Sequence, residues 1–344
     1  MVSVKNILSE VFCLILWCQA CLAQGDHFVT LSTVKARPVA MGGAFTAIID
    51  DLPAIDYNPA CFNLYDFEKE HRLTFFINPM APVVALREQI ESSKNNQEIT
   101  RTELLKSLSL LIKAMVFSFR PLDVGVLLSE ESLTPPTRLE RKQFFSAEPF
   151  WNNNSHSVVA RLKLARQVSL GLVGTRFSAE DSMKTIQGWS LNYGVLLRSD
   201  NSFSLGVVYI SLPQKLPHYR TPLEKMVDDT INLGLSYQLS PVLILSMDVR
   251  NISADQKRLI NQLRFGFDSS PFSWIALRGG YFEEIKGKRT ISLGTGLFDL
   301  NRFFHPEARF DHKNFLINYS FVYEYQKGVT PVSKWHFFSF ILRL

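Results

Sequence analysis

Six arginines are the residues of this chain best placed to do chemistry: Arg161, Arg198, Arg250, Arg264, Arg278 and Arg343. Each falls at an alternate position of a segment whose other positions are apolar, which puts all six on the polar face of extended strands. A guanidinium offers five donors in a fixed fork and keeps its charge at physiological pH, so its natural partner is a carboxylate. That partner could be an interior acid such as Asp248, Asp268 or Glu324, the pairs then holding the fold together. It could instead be an anionic headgroup contacted by Arg198, Arg250, Arg264 and Arg278. Other reactive residue types offer less. Ser155 and His156 are neighbours, and strand neighbours point to opposite faces, so they cannot act as nucleophile and base. His305, Glu307, Asp311 and His312 share one connection at a spacing that matches no zinc pattern. Gly42-Gly43 lacks the strand, lysine and helix context of a phosphate loop. The sequence therefore predicts no catalytic residue, no metal and no cofactor.

The elements that position these arginines are about fourteen period-two segments running to the last residue. From Ile231 to Leu239, Ile231, Leu233, Leu235, Tyr237 and Leu239 share one face, while Asn232, Gly234, Ser236 and Gln238 share the other. Trp189–Leu197, Phe315–Tyr325 and Phe338–Leu344 repeat the pattern with aromatic residues at their ends. Connections alternate between long and short. Tight turns are expected at Pro121-Leu122, Arg166, Asp200-Asn201, Ser240-Pro241 and Ser269–Pro271. Long loops are expected at 78–113, 130–154, 177–187, 212–228 and 251–260, and Asp299–Lys313 is the one long connection where a short turn is due. Such alternation of connections is that of a transmembrane antiparallel β-barrel of about fourteen strands, with short turns on the periplasmic side. Alternation alone leaves open which face looks outward, since a soluble sandwich alternates too. No stretch after the first two dozen residues approaches eighteen apolar positions, which excludes a helical membrane protein.

The N-terminus fits a secreted destination. Lys5 precedes an apolar stretch from Val11 to Trp17, and Cys21-Leu22-Ala23 offers small residues for cleavage near Ala23, so 1–23 reads as a signal peptide. Three of the 4 cysteines lie in it, which leaves Cys61 alone and without an intramolecular disulfide. The 27 phenylalanines suit a lipid-facing girdle, whereas 46% hydrophobic residues and a mean hydropathy of +0.03 are too polar for a helical bundle. The net charge of +5 is scattered, with no basic stripe for nucleic acid.

Between the signal and the first strand, residues 24–70 form an appendage rich in small residues, and 71–344 form the barrel. It contains Met41-Gly42-Gly43-Ala44-Phe45-Thr46-Ala47, then Asp50-Asp51, then Asn58-Pro59-Ala60. The glycines permit unusual φ and close backbone approach, and the acids suit a turn or helix start. A compact segment of this kind could fill a barrel lumen or hang as a periplasmic tail. These words closely resemble the N-terminal signature of the FadL-like outer-membrane proteins, in particular the PorV/PorQ branch, departing from it at Cys61, where the family usually has glycine. The resemblance implies a fourteen-stranded outer-membrane barrel with the N-terminal segment in its lumen. It further implies passage of hydrophobic small molecules such as long-chain fatty acids, or, for the PorV/PorQ branch, an accessory role with secretion-system proteins. The first outer loop adds a candidate contact for a greasy ligand. Thr100 and Glu103 make a capping box, with Leu104, Leu105, Leu108, Leu111 and Ile112 at helical spacing after it. Those leucines could equally pack on the plug or on a neighbouring loop.

Overall fold

The structure, a computed structural model, describes residues 26–30, 33–63, 71–83, 101, 105, 108–131, 154–181, 184–199, 202–211, 230–252, 262–272, 274–283, 288–299, 311–326 and 333–344. Their backbone forms one sheet of 16 strands. The first eight are Asp26–Thr30 (β1), His71–Ile77 (β2), Ile112–Phe119 (β3), Leu122–Glu131 (β4), Asn154–Lys163 (β5), Val168–Asp181 (β6), Lys184–Ser199 (β7) and Phe203–Ile210 (β8). The rest are Thr230–Ser240 (β9), Leu243–Ile252 (β10), Gln262–Phe272 (β11), Ile275–Glu283 (β12), Lys288–Asp299 (β13), Phe315–Gln326 (β14), Ser333–Phe340 (β15) and Leu342–Arg343 (β16). From β2 to β15 each strand lies beside its neighbour in sequence, which makes fourteen up-and-down strands, the number that the alternating segments predict.

The C-terminal strand joins both ends of this order. Its first part, β15, pairs with β14; after a break at Ile341, Leu342 and Arg343 of β16 pair with Ile77 and Phe76 of β2. Leu344 then exchanges backbone hydrogen bonds with Phe75 at 2.9 and 3.0 Å. The other edge of β15, beyond the end of β2, is taken by β1, which runs parallel to it from Asp26 opposite Ser333 to Thr30 opposite Phe337. The sequence gives no sign that these five residues join the wall. Pairing removes an unsatisfied edge that β15 would otherwise present.

Side-chain burial settles which face looks outward. In β9, Asn232, Gly234 and Ser236 are buried, whereas Ile231, Leu233, Tyr237 and Leu239 are exposed. In β7, Trp189 is 70% exposed and Leu191 51%, while Ser190 and Asn192 are buried. Water would favour the reverse arrangement, so the outer face is built for hydrocarbon. The inner face encloses residues 33–63. Side chains of Glu130 (β4), Ser169 (β6), Ser236 (β9), Asp248 (β10), Ser292 (β13) and Ser320 (β14) all hydrogen-bond to that one short segment. Strands so far apart in the sheet can reach it only if the sheet curls round it. The chain is a transmembrane β-barrel with an N-terminal plug. Among the described residues no helix is long and apolar enough to cross a membrane.

Two expected connections differ. The long loop expected at 177–187 is instead a hairpin: β6 and β7 stay paired up to Asp181 opposite Lys184, because polar strand residues beyond the apolar belt still satisfy one another's backbone groups. The turn expected at Ser269–Pro271 falls later. Pro271 sits inside β11, where the ladder with β12 shifts register between Ser269 and Phe272, an irregularity that tolerates its missing N–H. The long connection after Asp299 is present. Its described end, Asp311–Asn314, turns inward and brings Lys313 Nζ within 3.2 Å of the plug carbonyl of Asn63.

Candidate functional site: the plug and the wall around it

The signature residues fold as they do for local reasons. Ala36–Ala40 is one short helix, and Met41-Gly42-Gly43 ends it: the Gly42 N–H bonds to Val39 O and the Gly43 N–H to Pro38 O, with φ of 65° and 72°. This is the Schellman stop, which requires a residue without a Cβ at its left-handed position. Ala44 continues the turn by bonding to Met41 O, and Phe45 packs edge-to-face on Tyr57 with ring centres 5.5 Å apart. Met41, Phe45, Ile48 and Tyr57 make the plug's own apolar cluster.

Polar side chains then tie the plug to the wall. Oδ2 of Asp248 accepts from the Phe45 N–H (3.0 Å), the Thr46 N–H (2.9 Å) and the Thr46 hydroxyl (2.6 Å). The adjacent acids split their work. Asp50 takes Arg37 Nη1 at 2.5 Å within the plug, and Asp51 takes Arg343 Nε of β16 at 2.6 Å. Burial disfavours the Arg37 charge, but Asp50 and Asp268 outweigh it and hold its pKa above the usual value. Burial likewise pushes the Asp51 carboxyl upward, against the pull of Arg343. Asn58 caps the turn Pro59–Cys61: its Oδ1 accepts from Ala60 N–H, and its Nδ2 donates to Thr46 O and to Val195 O of β7. Cys61 is fully buried, with Sγ 3.3 Å from Thr46 O, and burial pushes its thiol pKa up. The turn that ends at Cys61 is therefore closed and fastened to the rest of the plug.

The wall accepts the plug at a band of glycines on its inner face. A Cβ added to Gly171 would lie 2.1 Å from Ala60 N, one on Gly206 2.1 Å from Thr46 O, and one on Gly280 2.0 Å from Gly42 N. Gly194, Gly266 and Gly294 meet Asn58, Met41 and Ala40 in the same way. At Gly171, Gly206, Gly266 and Gly280 plug backbone lies against wall backbone, and at Gly194 and Gly294 the Asn58 and Ala40 side chains fill the same space.

The predicted arginines separate into distinct settings. On the short-turn side, Asp268 receives Arg37 Nε (2.9 Å) and Arg278 Nε (3.1 Å), with His312 Nδ1 3.2 Å from its other oxygen, and Arg278 also donates to Asn318. Arg161 holds Asn63 of the plug and Asp123, and Arg343 holds Asp51. Glu324 pairs with Lys288 instead. Towards the long-loop side, Arg250 and Arg264 converge on Gly43. Arg198 is half-buried at the short-turn end of β7, and its charge acts on Cys61 and Arg161. Most of these arginines thus serve interior acids and the plug, the first of the two roles open to them.

The loop leucines stand elsewhere. Leu104 lies outside the described residues, while Leu105, Leu108 and Leu111 are exposed at the outer end of β2 and β3. Helical backbone is described at Arg101, Leu105, Leu108 and Ser109, and Ile112 belongs to β3 instead of to the helix. Ser155 is buried and His156 exposed, as their opposite faces require, and the His156 ring accepts from Ser129 N–H. His305 and Glu307 lie outside the described residues; among the described ones no three His, Cys, Asp or Glu are grouped as metal ligands. Sequence reasoning missed Asp248 as the central plug anchor and missed the glycine band. Its only trace is that Gly171, Gly194, Gly206 and Gly234 all interrupt the polar face at mid-strand.

No protein-family model and no curated protein sequence matches the chain. Among solved structures it is similar to the Pseudomonas putida toluene transporter TodX, with 12% identity over 88% of this chain and 95% of that one and a TM-score of 0.44. The Ralstonia pickettii toluene transporter TbuX is similar at 10% identity over 91% and 97%, with a TM-score of 0.42. A mutant of Rh. blastica porin gives 12% over 67% and 78%, with a TM-score of 0.35.

Proposed function

We propose that the protein is an outer-membrane channel that passes small hydrophobic molecules, long-chain fatty acids among them, past its N-terminal plug. The observation that carries this reading is the plug itself, hydrogen-bonded to strands all round an outward-apolar barrel. A barrel that served only as an anchor would not need a separate, polar-fastened segment across its lumen. Hydrophobic cargo is favoured by apolar side chains outside the strands at the outer end of β2 and β3, where Val83, Leu105, Leu108 and Leu111 are exposed. The signature from Met41 to Ala60, which resembles that of FadL-like proteins, supports the same reading. No step in it is catalytic.

The test is uptake of labelled oleate by a Gram-negative host that lacks its own fatty-acid channel, with cell fractionation to show the barrel in the outer membrane. Saturable uptake that falls when Leu105 and Leu108 are both changed to serine is the expected result. A correctly inserted barrel that takes up none overturns the reading and leaves the PorV/PorQ-like secretion role as the alternative.

A further inference from the structure

Among the described strands, one connection on the short-turn side is far longer than a hairpin needs. β9 and β10 are joined through Pro241 and Val242, and β11 and β12 through residues 273–274, whereas β13 ends at Asp299 and β14 opens only at Phe315. The described end of that connection returns to the plug. Asp311 folds it into a turn: Asn314 N–H bonds to Asp311 O at 3.1 Å, and Lys313 N–H bonds to Asp311 Oδ1 at 3.0 Å. The base of the turn is fixed to the wall. Phe315 is buried with the Arg278 guanidinium 5.7 Å from its ring centre, and its carbonyl accepts from Asn318 Nδ2.

The three residues of the turn each face a group that bears on the end of the plug. Lys313 Nζ, on a side chain only 13% exposed, donates to Asn63 O at 3.2 Å and lies 3.2 Å from Asp311 Oδ2, and its charge acts on Asp51. His312 Nδ1 is 3.2 Å from Oδ1 of Asp268, whose Oδ2 receives Arg37 of the plug. Asp311 acts on Arg343, which holds Asp51. Burial alone would raise the Asp311 carboxyl, but Lys313, with a contribution from Arg37, holds it below the usual range. What the turn covers is a closed bridge in the plug. Asn63 N–H bonds to Asp50 O at 2.8 Å and Asp50 N–H to Cys61 O at 3.2 Å, beside the Arg37–Asp50 pair. A solvated loop would leave its lysine in water, whereas this one buries the ammonium against a plug carbonyl.

We propose that the turn Asp311–Lys313 is a clasp over the short-turn face of the plug: it holds the Asp50–Asn63 bridge shut, and the plug opens on that side only when the turn lifts. Asp248 and the glycine band hold the middle of the plug, and the clasp governs its end. The length of the connection is then what lets it reach inward. The proposal concerns the plug alone and stands whatever the barrel passes.

The experiment is maleimide labelling of Cys61 in the full chain in nonionic detergent, with Cys13, Cys18 and Cys21 changed to serine. The melting temperature of the barrel, read from heat-modifiable gel mobility, is measured beside it. Lys313→Met, which keeps most of the stem without the charge, should label about tenfold faster than the parent, the lower end for loss of a hydrogen bond from a charged donor, at an unchanged melting temperature. Lys313→Arg should restore slow labelling. His312→Ala removes the contact with Asp268 independently and should also accelerate labelling, so the proposal stays exposed if Lys313→Met does not fold. Lys288→Met breaks a comparable pair with Glu324 on the long-loop side and should label at the parent rate. Labelling at the parent rate in folded Lys313→Met or folded His312→Ala overturns the proposal. Equal acceleration by Lys288→Met overturns it too, as does a melting temperature that falls in step with labelling, since either would make Lys313 a general support of the barrel.

Discussion

Replacing Asp248 by alanine should loosen the plug more than any other single change in the wall. One oxygen, Oδ2, holds two plug N–H groups and the Thr46 hydroxyl at 2.6–3.0 Å in a buried setting. Each donor left without an acceptor costs about 1–3 kcal/mol. Because such losses overlap, the three together amount to roughly 3–6 kcal/mol against the seated plug. At about 1.4 kcal/mol per factor of ten, local release becomes roughly 10²- to 10⁴-fold more frequent. Cys61 reports it directly, since it is fully buried and its Sγ contacts the same Thr46 carbonyl that Asn58 holds. With Cys13, Cys18 and Cys21 changed to serine, maleimide labelling of Cys61 in detergent should be very slow in the parent and faster by that ratio in Asp248→Ala. Asp248→Asn, which keeps one acceptor oxygen, should be intermediate. Equal labelling rates in the parent and Asp248→Ala, with full labelling after denaturation, would refute the argument.

Three further outcomes are expected. In Gly280→Val the new Cβ would sit 2.0 Å from Gly42 N and 2.2 Å from Met41 C, so the plug backbone must retreat. About 1–3 kcal/mol of overpacking should appear as faster Cys61 labelling, and Gly174→Val, whose Cβ meets nothing within 4 Å, should leave the rate unchanged. Asp268→Ala leaves the buried Arg278 guanidinium without a carboxylate, and Arg37 with Asp50 alone, and should cost about 3–5 kcal/mol, read as a lower melting temperature in heat-modifiability gels. Adding Arg278→Met, which removes the orphaned cation, should restore part of the loss. Leu233→Arg places a charge on the lipid-facing side of β9 and should cost about 2–4 kcal/mol in folding into vesicles, measured by intrinsic fluorescence against urea.

How much was legible follows from what each signal depends on. Strand number and the division of each strand into two faces depend on a period of two, which survives in each segment such as Ile231–Leu239. Which face looks inward is fixed only by burial in the folded barrel. Turn position depends on turn chemistry, and there Pro271 misled: a proline marks a break only where its N–H would be needed, and at a register shift it is not. The plug words could be seen but not their partners. That Asp50 serves Arg37 while Asp51 reaches Arg343 depends on the whole barrel having been wound, which no local pattern encodes. The glycine band is the clearest case. On its own strand each glycine looks like a weak point, and its purpose exists only once the Met41–Cys61 backbone lies against it. The same holds for β1, whose partner sequence lies at the opposite end of the chain.

That last pairing sets an order of assembly. Asp26 can find Ser333, and Phe76 can find Arg343, only when the final residues have been delivered. Strand β1 must therefore be kept unengaged while every intervening hairpin forms, since the docking edge of β15 does not yet exist. Nor can the enclosed segment be threaded in afterwards, because its leading end is stitched into the shell. Biogenesis must wind the cylinder around an occupant already in place, and losing the final dozen residues would deprive it of both that occupant's mooring and its own completion.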